Sequence, residues 1–302
     1  MKAALVIVNY NTRGDLRKCL ESAGRELPGA SVVVVDNGST DGSIEMVKDE
    51  FPWVRLERNP GNPGYASACN RGIRATVEPY IFILNSDVEF LPENDETLSR
   101  DDSKLPGGIQ AVLDRLDEEN DIAALGPMVL NSDGSVQMSC RRFPSMFENL
   151  VHGFLGDIWP GNPLTRSYQM KDMCREGPAG VDWVSGAAML LRREAAERVG
   201  GFDESYFMYV EDVDICWRLK EAGYRVVYDP AMRLIHHIGR TSSQQSVRML
   251  YHHHRSMFIF FNRSYRGWRG VTLAPLVAAG LAARFALSLL IRKIRSKREG
   301  TG

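Results

Sequence analysis

Ser31-Val32-Val33-Val34-Val35-Asp36-Asn37-Gly38-Ser39-Thr40-Asp41-Gly42-Ser43 passes without a break from a β-branched run into a loop of small polar residues. Four consecutive valines mark a strand buried on both faces, and Asp36 ends it. Upstream, residues 3–8 are continuously apolar and predict a first strand, while residues 13–24 carry helical spacing. Together these make one β-α-β unit. Downstream the alternation repeats, with a helix expected over 41–50, a strand over 54–58, a helix over 65–76 and a strand over 80–84 ending in Asn85-Ser86-Asp87. Such alternation implies a parallel sheet covered by helices, with functional residues gathered at the carboxyl ends of its strands. Asp36 and Asp87 both sit at such ends.

Residues 93–121 break the composition, with ten acidic against three basic residues and Pro106-Gly107-Gly108 inside. They read as a solvated loop, then a helix over 109–119, with a strand following at 122–125. Residues 141–180 show no clear period. Order returns with a strand-like run over 181–192, a turn at Gly200-Gly201, a helix over 211–222 and short strands at 224–228 and 232–236. No internal repeat is present. The 302 residues suit one large or two modest domains.

Hydrophobic residues at 44% and charged residues at 25% set aside collagen-like, disordered and multi-span membrane classes. Lys and Arg number 37 against 38 Asp and Glu, so the broad positive field that nucleic-acid binding needs is missing. Nucleic acid is excluded as a partner on this ground. Five widely spaced cysteines without a C-x-x-C pair fit a reduced, cytosolic compartment. The apolar run at the amino terminus is too short for a signal peptide.

Several stretches carry chemistry. Asp36 at its strand end can accept hydrogen bonds from a base or ribose, and Gly38 and Gly42 let backbone approach a ligand. The same loop also reads as a helix cap through Ser39, Thr40 or Asp41. Residues 8–14 hold no G-x-G-x-x-G, and no Walker A lysine loop exists in the chain, which disfavours a nicotinamide dehydrogenase and a P-loop NTPase. Asn85-Ser86-Asp87 offers either one carboxylate for a divalent cation or an ordinary turn. Magnesium commonly takes only one or two protein carboxylates and completes its shell with waters and phosphates.

Glu211-Asp212-Val213-Asp214 opens a helix whose Asp214 and Arg218 form an i, i+4 pair. Three carboxylates in four residues exceed what capping needs. The preceding aromatics Phe202, Tyr206, Phe207 and Tyr209 can supply dry surroundings that raise a carboxylate pKa toward that of a useful base, against the pull of the helix dipole. His236 or His237, after a short strand, can ligate a metal or contact phosphate. His252, His253 and His254 diverge around a helix and make a poor metal site. With Arg248 and Arg255 they form a mixed surface and packing face.

Taken in order, Val8-Asn9-Tyr10-Asn11, residues 36–43, Asn59-Pro60-Gly61-Asn62-Pro63-Gly64-Tyr65-Ala66 with Asn70-Arg71-Gly72-Ile73, Leu84-Asn85-Ser86-Asp87, Trp183-Val184-Ser185-Gly186-Ala187 and the stretch from Gly201-Phe202-Asp203-Glu204 to Asp214 resemble family-2 inverting glycosyltransferases. The rhamnosyltransferase-type branch is the nearest in kind. The resemblance spans residues 3–265 and implies an α/β glycosyltransferase-A fold, with a Rossmann-like nucleotide-binding half, a mixed central sheet and a C-terminal amphipathic helix. It divides the chain into a catalytic domain over 1–265, with donor-binding residues 1–127 and acceptor-binding and catalytic residues 128–265, and a membrane-associating tail over 266–302.

By the same resemblance, Asn9, Asp36, Asn37, Gly64, Asn70, Asn85 and Ser86 line a nucleotide-sugar. Asp87 stands for the last acid of the D-x-D motif and holds a divalent cation, Mg2+ or Mn2+, with His236. Gly186 and Glu211 face the acceptor, Asp212 is the catalytic base, and Trp183 either stacks on an acceptor sugar or is a buried core residue. Asn85 replaces the first acid of D-x-D. The implied reaction moves rhamnose from dTDP-rhamnose to a glycan or polyprenyl-linked acceptor in cell-surface polysaccharide synthesis. A catalytically inactive, membrane-associated sugar-binding or scaffold protein of the same fold is the alternative.

Residues 271–291 are apolar apart from Arg284, which shares a helical stripe with Ser288, Arg292 and Arg295. Arg263, Arg266 and Arg269 precede this stretch, and Arg292, Lys293, Arg295, Lys297 and Arg298 follow it. A spanning helix would place one basic flank on the wrong side. The expectation is therefore a cytoplasmic protein whose tail lies in the inner face of the cell membrane, close to a lipid-linked acceptor.

Overall fold

Apolar side chains on both faces of a strand need cover on both sides, and β1 (Ala3–Asn9) is buried along its whole length. Leu5 and Ile7 point into one core, Val6 and Val8 into the other. β2 (Ser31–Asp36) and β4 (Tyr80–Asn85) alternate in the same way. The structure is a computed structural model that describes residues 1–91, 108–143, 177–237 and 247–299. Three of its helices, α1 (Arg13–Glu26), α2 (Ser43–Glu50) and a later α4, cover the Leu5 side, while α3 (Tyr65–Arg74) covers the Val6 side.

β3 (Arg55–Arg58) completes a parallel array in which β1 lies between β2 and β4. The connections therefore leave β1 in opposite directions, and a crevice opens at the carboxyl ends of its neighbours. After β4 come β5 (Val88–Phe90), α4 (Gly108–Glu118), β6 (Ile122–Leu130), β7 (Val136–Gln137) and β8 (Cys140–Arg141). Then follow β9 (Ala179–Val181), β10 (Trp183–Val184), β11 (Ala188–Arg192), α5 (Arg193–Arg198), α6 (Glu211–Glu221) and β12 (Arg225–His236). The main sheet runs β3-β2-β1-β4-β11-β6-β12-β5, with β7 on β6 and β9 on β12. β11 is antiparallel to both neighbours, so the sheet is mixed.

Three expectations are corrected. The run over 181–192 holds the last residue of β9, then β10 and β11, with a bend at Asp182 and a turn over residues 185–187 between them. The short strands at 224–228 and 232–236 are one strand, β12, whose register shifts between Asp229 and Arg233, where Pro230 cannot donate a ladder hydrogen bond. β6 continues past residue 125 through Gly126 and Pro127 to Leu130. The acidic segment 93–105 and most of 141–180 lie outside the described residues.

Two long helices close the chain, α7 (Val247–Ser264) and α8 (Trp268–Glu299). α7 packs on α6, with Phe260 edge-on to Trp217. α8 folds back along α7, where Phe285 meets His254 edge-on at 5.6 Å.

Gly72 sits where α3 crosses the sheet, and a Cβ there would lie 2.1 Å from Val6 Cγ1 and 3.2 Å from Val35 Cγ2. Gly72→Ala should destabilise the fold, because overpacking typically costs about 1–3 kcal/mol while helix propensity returns at most about 1 kcal/mol. A urea midpoint equal to or above that of the wild type would contradict this packing.

Candidate active site

Strand register places Asn9 opposite Asp36 and Val8 opposite Asn85. Three polar strand ends therefore share one edge of the sheet. Asp36 is 1% exposed, and its carboxylate accepts from the backbone N–H groups of Gly38 (3.0 Å) and Ser39 (2.8 Å) and from Asn9 Nδ2 (2.7 Å). Its charge shapes the loop that follows, two of the bonds going to Oδ1 and one to Oδ2. Asn9 Oδ1 accepts from Thr12 Oγ1 at 2.7 Å, and Thr12 in turn bonds Ser86 Oγ at 2.7 Å. Asn37 donates to Gly64 O at 3.2 Å and accepts from Asn59 Nδ2 at 2.8 Å, tying the second loop to the first.

Gly64 adopts φ +103°, and a Cβ there would approach Phe207 O to 2.3 Å. This close approach lets Tyr65 N donate to Phe207 O at 2.7 Å. Tyr65 Oη donates to Gly186 O at 2.6 Å, and Gly186 N donates to Asp212 Oδ2 at 2.9 Å. Burial, followed by the charges of Cys69, Glu211 and Asp212, holds the Tyr65 hydroxyl well above its ordinary pKa, so it stays a donor.

Asp212 sits in the first turn of α6, half-buried, with Val213 N donating to its Oδ1 at 2.8 Å. Burial raises its pKa against the opposing pull of the Gly186 and Val213 N–H groups and Arg141. Glu211 is buried, its Oε2 has no hydrogen-bond partner among the described residues, and burial followed by the Asp212 and Asp214 charges pushes it well above the ordinary carboxylate range. Asp214 belongs to a different environment. Fully buried, it accepts from Arg218 Nε at 2.7 Å, Arg263 Nη1 at 3.0 Å and Tyr206 Oη at 3.1 Å.

At the other end of the crevice, antiparallel pairing of β12 with β5 sets His236 opposite Val88. His236 Nε2 lies 3.1 Å from Asp87 Oδ1, while the next residue faces away, with His237 Nε2 2.9 Å from Glu89 Oε1. The alternation of the strand thus separates the two histidines. Gln137 Oε1 lies 3.0 Å from His236 Nδ1, and Asn85 Nδ2 lies 3.4 Å from Nε2, so the ring is held with Nε2 toward Asp87. Among the described residues no group of three or more His, Cys, Asp or Glu side chains gathers into a metal cage.

Two site residues serve structural contacts. Asn70 bridges Phe202 O (2.8 Å) and Phe202 N (2.9 Å) and reaches Glu204 Oε1 (2.9 Å), bracing the loop before α6. Trp183 is 8% exposed, donates to Arg142 O at 3.1 Å, and carries the Arg141 guanidinium 5.3 Å from its ring centroid. Sequence reading missed Thr12, Tyr65 and Gln137 as site-building residues and gave Phe207 only as one of the aromatics near the acids. Tyr65 lay inside the motif over 59–66, whereas Gln137 acts through His236, 99 positions away.

Residues 4–200 match the family description Glycosyl transferase family 2, and residues 162–296 match Glycosyl transferase family group 2. The chain belongs to glycosyl transferase family 2. This glycosyltransferase is 35% identical over 308 aligned residues to the N-acetylglucosaminyl-diphospho-decaprenol L-rhamnosyltransferase of Mycobacterium tuberculosis, covering 97% of this chain and 95% of that protein. It is 35% identical to the rhamnosyltransferase WbbL of Escherichia coli, over 87% of this chain and 88% of that one. A mannosyltransferase from Pyrobaculum calidifontis, solved with GDP-Man and Mn2+, superposes with a TM-score of 0.55 at 17% identity, covering 96% of this chain and 75% of that one. The fold is the glycosyltransferase-A fold.

Asp214→Asn should cost roughly 3–5 kcal/mol of stability, because it strips the buried negative charge from two guanidinium groups. Urea denaturation measures this, and a loss under 1 kcal/mol, about the value of an exposed ion pair, would show that the cluster is not structural.

Proposed function

We propose that this glycosyltransferase inverts the anomeric carbon as it moves rhamnose from dTDP-rhamnose to a hydroxyl of a polyprenyl-diphosphate-linked sugar, in cell-envelope polysaccharide synthesis. Asp212 carries the chemical half of this reading. Its half-buried carboxylate sits above the Gly186 turn, held by two backbone N–H groups and raised in pKa by burial. The likeness to two rhamnosyltransferases supports the donor, and the name of the mycobacterial relative supports a lipid-linked acceptor.

In the proposed step Asp212 takes the proton of the acceptor hydroxyl while that oxygen forms a bond to the anomeric carbon from the face opposite the diphosphate. The bond from that carbon to the diphosphate oxygen breaks, and its electron pair leaves with the nucleoside diphosphate. Glu211, its carboxyl pKa raised by burial, lies beside Asp212 on the acceptor side. Asn9, Asp36, Asn37 and Gly64 shape the donor loops, with Asn85 and Ser86 at the adjoining strand end. Asp87 and His236 fit a divalent cation, Mg2+ or Mn2+, completed by donor phosphate oxygens. Such a cation, when bound, neutralises charge on the leaving diphosphate.

α8 supports work at a membrane surface. Gly270–Lys293 has a mean hydropathy of 1.9 over its most apolar window, none of it buried in the protein. At 1.5 Å per residue it is long enough to cross a bilayer. Yet α8 lies along α7, which is bonded to the catalytic half, and Arg284 bears on the α7 histidines. This packing favours a helix lying in the cytoplasmic interface, with its outer apolar face in lipid.

Screening nucleotide-sugars for released nucleoside diphosphate, with and without Mn2+ or Mg2+, tests the reaction; turnover confined to a donor other than dTDP-rhamnose would overturn the donor assignment. Asp212→Asn should lower turnover about 10²–10⁴-fold with donor affinity near that of wild type. The acid limb of the wild-type pH–rate profile should lie above 3.8, the ordinary value for this carboxyl, because the base must be deprotonated to act. Asp87→Ala should weaken metal-dependent donor binding in calorimetry, and unchanged metal-independent binding would remove Asp87 from the site. Deleting residues 271–302 should release the protein from membranes while the catalytic domain stays folded. Resistance of the full-length protein to alkaline carbonate extraction would instead establish a spanning helix.

A further inference from the structure

The segment leading into Glu211 and Asp212 is held from outside by α7. Arg255 Nη1 donates to Ser205 O at 2.7 Å, and Ser256 Oγ donates to Met208 O at 3.0 Å. His252 stacks on the Phe207 ring at 4.2 Å, and the Arg248 guanidinium lies 5.1 Å from the same ring. His253 meets Tyr209 edge-on at 5.3 Å. These contacts fall on a stretch that ends in two left-handed residues, Tyr209 and Val210, both at φ +69°. A β-branched residue holds that conformation only where its surroundings over-determine it.

α8 backs α7 from another side, since His254 lies about half a turn around the helix from His252. Phe285 packs against His254, and the Arg284 charge, secondary to burial, helps keep His253 and His254 neutral. His253, pushed down to about 4, thus acts as an uncharged aromatic ring.

We propose that α7 is a positioning element for the catalytic base, with His253 and Ser256 fixing residues 205–210, and that α8 seated on α7 keeps this brace closed. Asp212 is then aligned for transfer only when the brace is engaged, so the brace governs turnover and leaves donor affinity unchanged. The inference rests on Asp212 being the base. It adds that a membrane-facing helix reaches the chemistry through a protein contact.

The test is amide hydrogen exchange followed by mass spectrometry on the full-length protein in detergent micelles, with no substrate present. Exchange over residues 205–213 should rise roughly 2- to 10-fold in His253→Ala, the scale of one lost edge-to-face contact. Ser256→Ala and Phe285→Ala should move it in the same direction, while β1 and β2 keep wild-type protection. His253→Phe, which preserves the aromatic edge, should restore protection. Turnover of the active nucleotide-sugar should fall in His253→Ala at unchanged dTDP affinity. Wild-type exchange over 205–213 in both His253→Ala and Ser256→Ala overturns the brace, as does protection lost evenly through β1 and β2. Wild-type exchange in Phe285→Ala alone overturns the link to α8. A loop that loosens as expected in a protein that transfers no rhamnose leaves the brace standing and removes the donor assignment.

Discussion

Asp214 lies out of water in the first turns of α6, and a carboxylate there is tolerated only with close positive partners. Arg218 supplies one from the same helix, Arg263 supplies another from α7, and the Tyr206 hydroxyl adds a third bond. Arg263 also pairs with Asp203, so the loop before α6 is drawn into the same cluster. One buried charge therefore holds the helix that carries Asp212, the loop that leads to it and the helix that supports both. Moving α7 away would remove one of the two guanidinium partners of that charge, so a residue outside the final hairpin helps to fix the hairpin's position.

Four carboxyl groups along the crevice differ because their surroundings differ. Asp36 is satisfied by three N–H donors and organises backbone. Asp87 faces the His236 imidazole, which Gln137 holds from its other nitrogen. Asp212 keeps two backbone donors and partial access, while Glu211 beside it has lost its solvent and one hydrogen-bond partner. Desolvation raises both; the Gly186 and Val213 N–H groups temper the rise at Asp212, while the neighbouring carboxylate charges add to it at Glu211.

The parallel half of the sheet was legible because its signals are local. The valines of β2, the apolar run of β1 and the helical spacing of α1 each report burial within a few residues, and the strand ends at Asp36 and Asn85 follow from where those runs stop. The second half was less legible for a physical reason. Whether β11 enters the sheet between β4 and β6, and in which direction, depends on pairing partners more than 60 residues away. Pro230 inside β12 reads as a break because the irregularity that tolerates it exists only once β6 lies alongside.

For the site, the sequence alone determined which residue types stand at each strand end, that acids cluster at the start of α6, and to which family the ordered motifs are similar. Tertiary structure decided what each side chain does. It chose His236 over His237 through strand register, turned Trp183 and Asn70 toward packing contacts, and brought Gln137, Tyr65 and Phe207 to the crevice. Composition and spacing record what a side chain can do, whereas its partners, its solvent and hence its proton affinity are set by chain segments that meet only when the sheet has closed.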